Sequence, residues 1–222
     1  NGTIQADNDA ITLGAITLGG QTAIDTEALN ASADLTIGAI TGGSNTLALQ
    51  TSGTSNVSGA DLTVSGNISG VNTLNITGNF TSSSNYLYGG DGNDTIDISN
   101  TTGLTTSKTS TWIKGESGND SLIGSSESNR LIGGDNNDLL EGGGGNDVLY
   151  GNNTGSSSNN SDYIDIAIYS GTSNDYRVSR ATDTDFGYAY YIQDKRDGSP
   201  DGLDTLYEID RLRFTDGDAG LP

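Results

Sequence analysis

GESGNDSLIGSSESNRLIGGDNNDLLEGGGGNDVLY, residues 115 to 150, divides into four nine-residue rows that begin at Gly115, Gly124, Gly133 and Gly142. Two more rows, from Gly151 and Asn160, follow without a gap and carry the frame to Ile168. Each of the first four rows opens on Gly, has Asp or Asn at its sixth place and Leu at its eighth. If two rows make one turn of a flattened coil, residues 18 apart stack at the inter-strand spacing of about 4.8 Å. Asp120 then stands over Asp138, and Asn129 over Asp147 over Asp165. Two bare carboxylates at that distance repel by roughly 3 to 4 kcal/mol at an effective dielectric of about 20, so a cation between them is expected. Calcium suits the place because it takes oxygen ligands in flexible geometry, and glycine-rich turns offer backbone carbonyls beside the carboxylate. Ile96, Leu122, Leu131, Leu140 and Leu149, at the eighth places, are expected to stack inward as a narrow apolar core.

The rows GGDNNDLLE from Gly133 and GGGGNDVLY from Gly142, with GGDGNDTID from Gly89 and GESGNDSLI from Gly115, resemble the repeat-in-toxin (RTX) calcium-binding nonapeptide. The resemblance covers roughly residues 86 to 218. It implies several bound Ca2+ ions, with side-chain ligands at Asp94, Asp120, Asp138, Asp147 and Asp165. It further implies carbonyl ligands at positions such as Gly89, Asp91, Gly115, Ser117, Gly133, Asp135, Gly142 and Gly144. Such modules occur in secreted bacterial proteases, lipases, toxins, adhesins and surface-layer proteins, which implies an extracellular or cell-surface location. The row from Gly124 departs from the pattern, with Asn129 for Asp and Glu127 for Gly, and a half-occupied or empty site is expected there. The row from Gly151 has no acid, and Ser158 takes the core place, so it reads as a bulged loop that keeps register.

The 222 residues carry a formal charge of −20, with 33 glycines and no cysteine. That balance argues against a generic nucleic-acid or anionic-membrane binder, whose affinity comes from Lys and Arg. It favours multivalent cations, which relieve self-repulsion. No apolar run approaches a membrane span or a signal-peptide core, and the absence of an initiating Met is expected of a mature or excised piece of a longer chain.

Ahead of the nine-residue frame runs a longer repeat. Ala33–Val64 contains ADLTI and ADLTV 27 residues apart, NTLAL from Asn45 recurs as NTLNI from Asn72 at the same spacing, and ITLGAI from Ile11 precedes LTIGAI from Leu35 by 24. Periods of this size mean stacked coils. The expected fold is all-β: a right-handed parallel β-helix or β-roll solenoid with a small C-terminal antiparallel β cap. Residues 1–85 would form β-helix coils, 86–168 a calcium-binding β-roll with an insert at 99–111, and 169–222 an aromatic-rich cap. The cap is expected from the concentration of Tyr and basic residues after Asn160, from a hairpin of Tyr176-Arg-Val178 and Tyr188-Ala-Tyr190 about the Asp183/Asp185 turn, and from Arg211-Leu-Arg-Phe214 as a further strand.

Residues 1 to 107 contain no Lys, Arg or His, only scattered acids such as Asp7, Asp9, Asp25, Glu27, Asp34 and Asp61. No coherent acid, base and stabiliser can be assembled from them, and no catalytic residue is expected. Thr36 and Thr63 line up at the 27-residue spacing, as befits a strand residue of high β-propensity. Trp112, the single tryptophan, is read as a plug over the irregular point rather than a sugar platform, and Arg211 and Arg213 as partners of nearby acids. Three functions follow. The first is an extracellular structural or adhesive segment rigidified by calcium, with self-association into a filament or lattice. The second is the secretion and folding module of an exported enzyme whose catalytic domain lies outside this chain. The third is a module for a cell-surface glycan.

Overall fold

A computed structural model of the chain describes residues 11–13, 16–17, 22–25, 35–37, 40–50, 62–64, 68–82, 86–102, 112–152 and 163–222. The expected acids Asp7, Asp9, Glu27, Asp34 and Asp61, residues 103–111 of the insert, and residues 153–162 of the Gly151 and Asn160 rows lie outside the described residues. Nearly everything described is strand, and one 3-10 turn, Ser173–Asp175, is the only helix among those residues. The first group is β1 (Ile11–Leu13), β2 (Ile16–Thr17), β3 (Thr22–Asp25), β4 (Leu35–Ile37), β5 (Ile40–Gln50), β6 (Leu62–Val64) and β7 (Ile68–Ser82). The nine-residue rows supply β8 (Tyr86–Asp91), β9 (Thr95–Thr102), β10 (Trp112–Ser117), β11 (Ser121–Ile123), β12 (Arg130–Asp135), β13 (Leu139–Glu141), β14 (Val148–Tyr150) and β15 (Ile166–Ile168). The closing segment adds β16 (Tyr176–Asp183), β17 (Gly187–Asp194), β18 (Leu203–Tyr207), β19 (Arg211–Phe214) and β20 (Gly217–Gly220).

The repeats set the register. Ile11 pairs with Leu35 and Leu35 with Leu62, in parallel, as the 24- and 27-residue spacings require, and Thr12, Thr36, Thr63 and Thr81 share one register line. A second parallel ladder runs through β3, β5, β7, β9, β11, β13, β15 and β19, with a register shift between β7 and β9. A third joins β8, β10, β12, β14 and β18. In β11, β13 and β15 the middle residue is buried and its neighbours are half-exposed, the period-2 pattern of a strand with one face on a core.

Two columns of apolar side chains fill the space between these last two ladders. Leu87, Ile113, Leu131, Leu149 and Leu206 are in register on one side; Ile96, Leu122, Leu140, Ala167 and Leu212 on the other, and none is more than 1% exposed. Burying each large aliphatic contributes about 1.5 to 3 kcal/mol. The expected eighth-place residues are all in this core. Trp112 is not: it stands on the outer side of β10 next to buried Ile113, with the Arg130 guanidinium 4.6 Å and the Lys114 ammonium 5.4 Å from its ring. Its ring carries these two cations, and residues 103–111, over which it was read as a plug, lie outside the described residues.

Two expectations need correction. The nine-residue frame puts Asp165 over Asp147, but Leu139 pairs with Ile166 and Leu140 with Ala167, which places Asp165 over Asp138. Ile166 thus follows its partner Leu139 by 27 residues rather than 18, and the Gly151 row, with Ser158 at its core place, lies outside the described residues from residue 153 on. The closing segment also differs from a purely antiparallel cap. Its hairpin β16–β17 is antiparallel as expected, with Asp183 accepting the Asp185 and Phe186 N–H groups at the turn. Its strands β18 and β19, however, join the repeat ladders in parallel, because Leu206 and Leu212 continue the two apolar columns. Rings of Tyr169, Tyr176 and Phe214 pack together beyond them, with centroids 5.0 to 5.8 Å apart. Arg213 does pair with an acid, Asp218, at 2.8 Å.

Candidate metal centre

In the Gly133 row, β12 and β13 are joined by a turn that needs left-handed backbone. Gly134 has φ 121°, and a Cβ there would lie 2.1 Å from the Glu116 carbonyl oxygen, so glycine is required both by conformation and by space. The turn delivers Asp138, wholly buried, at the foot of β13. The Gly115 row repeats the construction, with Gly118 at φ 133° and Asp120 buried before β11.

The sixth-place side chains then link row to row. The N–H of Asp94 donates to Asp120 Oδ1 at 2.8 Å, that of Asp120 to Asp138 Oδ1 at 2.8 Å, and that of Asp138 to Asp165 Oδ1 at 2.9 Å. In the second column the N–H of Asn129 donates to Asp147 Oδ1 at 2.7 Å. One oxygen of each carboxylate is thereby satisfied. The other, Oδ2, of Asp120, Asp138, Asp147 and Asp165 is buried without a hydrogen-bond partner. Such orphaned acceptors are costly, and a carboxylate can only accept. Burial accordingly pushes the Asp138 carboxyl up to about 8, Asp147 and Asp165 to about 7 and Asp120 to about 6, with neighbouring acids adding to the rise.

The opening glycine of each row lets these oxygens crowd the backbone. A Cβ on Gly115 would meet Asp120 Oδ2 at 2.0 Å and the Gly133 carbonyl at 2.6 Å; on Gly133, Asp138 Oδ2 at 2.2 Å and the Gly151 carbonyl at 2.6 Å. Gly89 stands in the same relation to Asp94 and the Gly115 carbonyl, and a Cβ on Gly142 would lie 2.3 Å from Asp147 Oδ2. The cradles at Gly115 and Gly133 thus each offer an unpartnered carboxylate oxygen and a carbonyl oxygen, an oxygen-only donor set that fits a hard cation. Among the described residues no three acidic side chains converge to hold a metal by themselves. An ion here would need backbone carbonyls, as the sequence reading expects. The carbonyls of Ser117 and Asp135 accept N–H bonds from Gly92 and Gly118 and retain a second lone pair. Asp91 is in register with Ser117, and Gly144 donates its N–H to the Ser125 carbonyl in the second column. At the departing row, Asn129 Oδ1 accepts the Ser125 N–H at 2.6 Å, so the oxygen that faces Gly124 is already engaged.

Residues 81–97, 110–127 and 123–154 match the RTX calcium-binding nonapeptide repeat, in four copies. These rows are RTX repeats. RTX repeats bind Ca2+, and the chain therefore carries a calcium-binding module of a type found in exported bacterial proteins. No curated protein matches the chain.

The RTX match stops at residue 154, yet the columns do not. The Asp165 N–H donates to Asp210 Oδ2 at 2.9 Å, and the Asp147 N–H to Asp204 Oδ1 at 2.8 Å. Asp204 is 1% exposed and its carboxyl is pushed up to about 8 by burial and by the Asp147 charge. Sequence reading missed both residues, although the signal was present. Asp204-Thr-Leu206-Tyr and Asp210-Arg-Leu212-Arg repeat the acid-x-apolar-x half of an RTX row without its glycine half.

Proposed function

We propose that this chain is an extracellular structural or adhesive segment, a right-handed β-solenoid that calcium folds and stiffens. In this reading Asp94, Asp120, Asp138, Asp147 and Asp165 supply carboxylate ligands, and first- and third-place carbonyls complete each shell. The ion removes the cost of stacking orphaned carboxylate oxygens inside a chain of charge −20. The observation that carries the proposal is the parallel ladder from β3 to β19, in which the calcium rows add directly to the N-terminal coils through β7 and β9. A continuous stack suits a rod, and its terminal strand is a template for end-to-end association into a filament or lattice. Negative-stain electron microscopy in calcium and in chelator tests this reading: calcium-dependent rods or filaments are expected, and monodisperse monomers in both conditions would count against it.

A second reading, the folding module of an exported enzyme whose catalytic domain lies elsewhere, draws on the same buried carboxylates. Metal binding free energy becomes folding free energy, so the module would stay unfolded where calcium is scarce and fold after export. An upstream catalytic domain in the full reading frame would favour it.

A further inference from the structure

The two outer faces of the RTX rows are finished differently. On the third ladder the chain covers its own outward residues: Ile132 is 1% and Tyr150 5% exposed, with the Phe186 ring 5.5 Å from that of Tyr150 and the Arg130 guanidinium 5.3 Å from it. On the second ladder the outward residues are the fifth, seventh and ninth of each row, and they turn from polar to apolar along the stack. The row of β9 carries Asn93, Thr95 and Asp97 at these places and that of β11 carries Asn119, Ser121 and Ile123, in register. Beside them β13 adds Leu139, and β15 follows with the alternating triplet Ile164, Ile166 and Ile168. Ile164 is 42% exposed, and Ile123, Leu139, Ile166 and Ile168 are half-buried. A contiguous apolar patch rimmed by polar residues marks an interaction site. Residues 153–162, which lead into β15, read NTGSSSNNSD and bring no apolar side chain to cover it.

Charges of opposite sign flank this patch. Asp97 and Glu141 stand on the β9 and β13 side, and Arg211 and Arg213 on β19, in register with Ile166 and Ile168. Burial and the charges of Asp201 and Asp97 push the Glu141 carboxyl up. Arg213 is held by Asp218, but no salt bridge of the described residues reaches Asp97, Glu141 or the exposed Arg211. We propose that this face pairs with a second copy of itself, the two solenoids lying side by side and running in opposite directions about a two-fold axis parallel to β15. That operator lays the isoleucine triplet against its own counterpart. It also sets β19 of each copy, with Arg211, opposite β13 of the other, with Glu141, so the same attraction is made twice. Solenoids running in the same direction would instead set Arg211 against Arg211. The face extends about 19 Å over the four strand spacings from β9 to β19 and about 13 Å across. That is well below the roughly 800 Å² per partner of a standard interface, so the dimer is a weak one, half-formed at about 0.1 mM.

Sedimentation equilibrium of the full chain from about 10 μM to about 1 mM, in saturating calcium and about 0.15 M salt, tests the pairing. The parent should follow a monomer–dimer equilibrium. Ile164→Asn with Ile166→Thr gives this row the residues that Asn137 and Thr95 supply at the same places elsewhere, and it leaves the buried columns untouched. That double variant should dimerise about tenfold or more weakly, with circular dichroism verifying its fold. Arg211→Glu should weaken the dimer as well, and Arg211→Lys should retain it. A parent that is monomeric at about 1 mM would overturn the pairing, as would a double variant or Arg211→Glu that associates as tightly as the parent. The pairing is lateral, whereas the association proposed above runs end to end. Filaments that form without this dimer would keep that reading and overturn this one.

Discussion

Replacing Asp138 by Asn should stabilise the calcium-free protein and weaken its response to calcium. Asp138 is wholly buried, its Oδ1 accepts the Asp120 N–H, and its Oδ2 has no partner. Burial pushes its carboxyl up to about 8, against an unfolded-chain value of about 3.9, so at about pH 7 the calcium-free fold must hold a proton that the unfolded chain has released. Across roughly three units that costs about 4 kcal/mol. Asn keeps the Oδ1 acceptor and has nothing to ionise, so the variant should gain up to about that much in chelator. An ion held at a hundredfold over its dissociation constant contributes about 2.7 kcal/mol, which the variant forfeits. The increment from chelator to saturating calcium should therefore shrink by about 3 kcal/mol per lost ion. Urea unfolding followed by circular dichroism in both conditions measures it. A variant destabilised equally with and without calcium would refute the reasoning, because the carboxylate would then matter only for packing and hydrogen bonding.

Three further outcomes follow from the same columns. Folded-state carboxyls at about 6 to 8 lie above the unfolded value of about 3.9, so the calcium-free native chain binds more protons than the unfolded one and its stability falls as pH rises from about 4, the fall ending once those carboxyls titrate at about 6 to 8. Calcium requires bare carboxylates, so apparent affinity should rise over the same interval with proton release, seen as a buffer-dependent heat in calorimetric titration; a flat profile would contradict it. Leu131→Ala, at a fully buried place in one apolar column, should cost about 2 to 5 kcal/mol in saturating calcium, read from the urea midpoint, whereas a loss within about 0.5 kcal/mol would mean that the column is not the core.

The parts legible in sequence were those in which each row does the same work. Asp120 over Asp138 followed from an 18-residue spacing because both rows carry the glycine, the acid and the leucine. Asp165 was misplaced because counting in nines registers residues rather than filled core places, and the Gly151 row carries Ser158 where the other rows carry leucine. Asp204 and Asp210 escaped notice for the converse reason: they keep the acid and the apolar residue but discard the glycines, since the closing turn is short and Glu208 itself takes the left-handed conformation. The outward place of Trp112 was decided by simple alternation around Ile113, a period-2 signal that its position beside an irregular insert obscured.

The most direct test of the account is a calcium titration of the full chain, with bound ions counted calorimetrically and folding followed by far-ultraviolet circular dichroism. The account predicts that several ions bind per chain and that chelation abolishes the cooperative β-structure of the repeat rows and the closing segment together. A chain that takes up no calcium, or one whose β-signal and unfolding transition are the same in chelator as in saturating calcium, would contradict it.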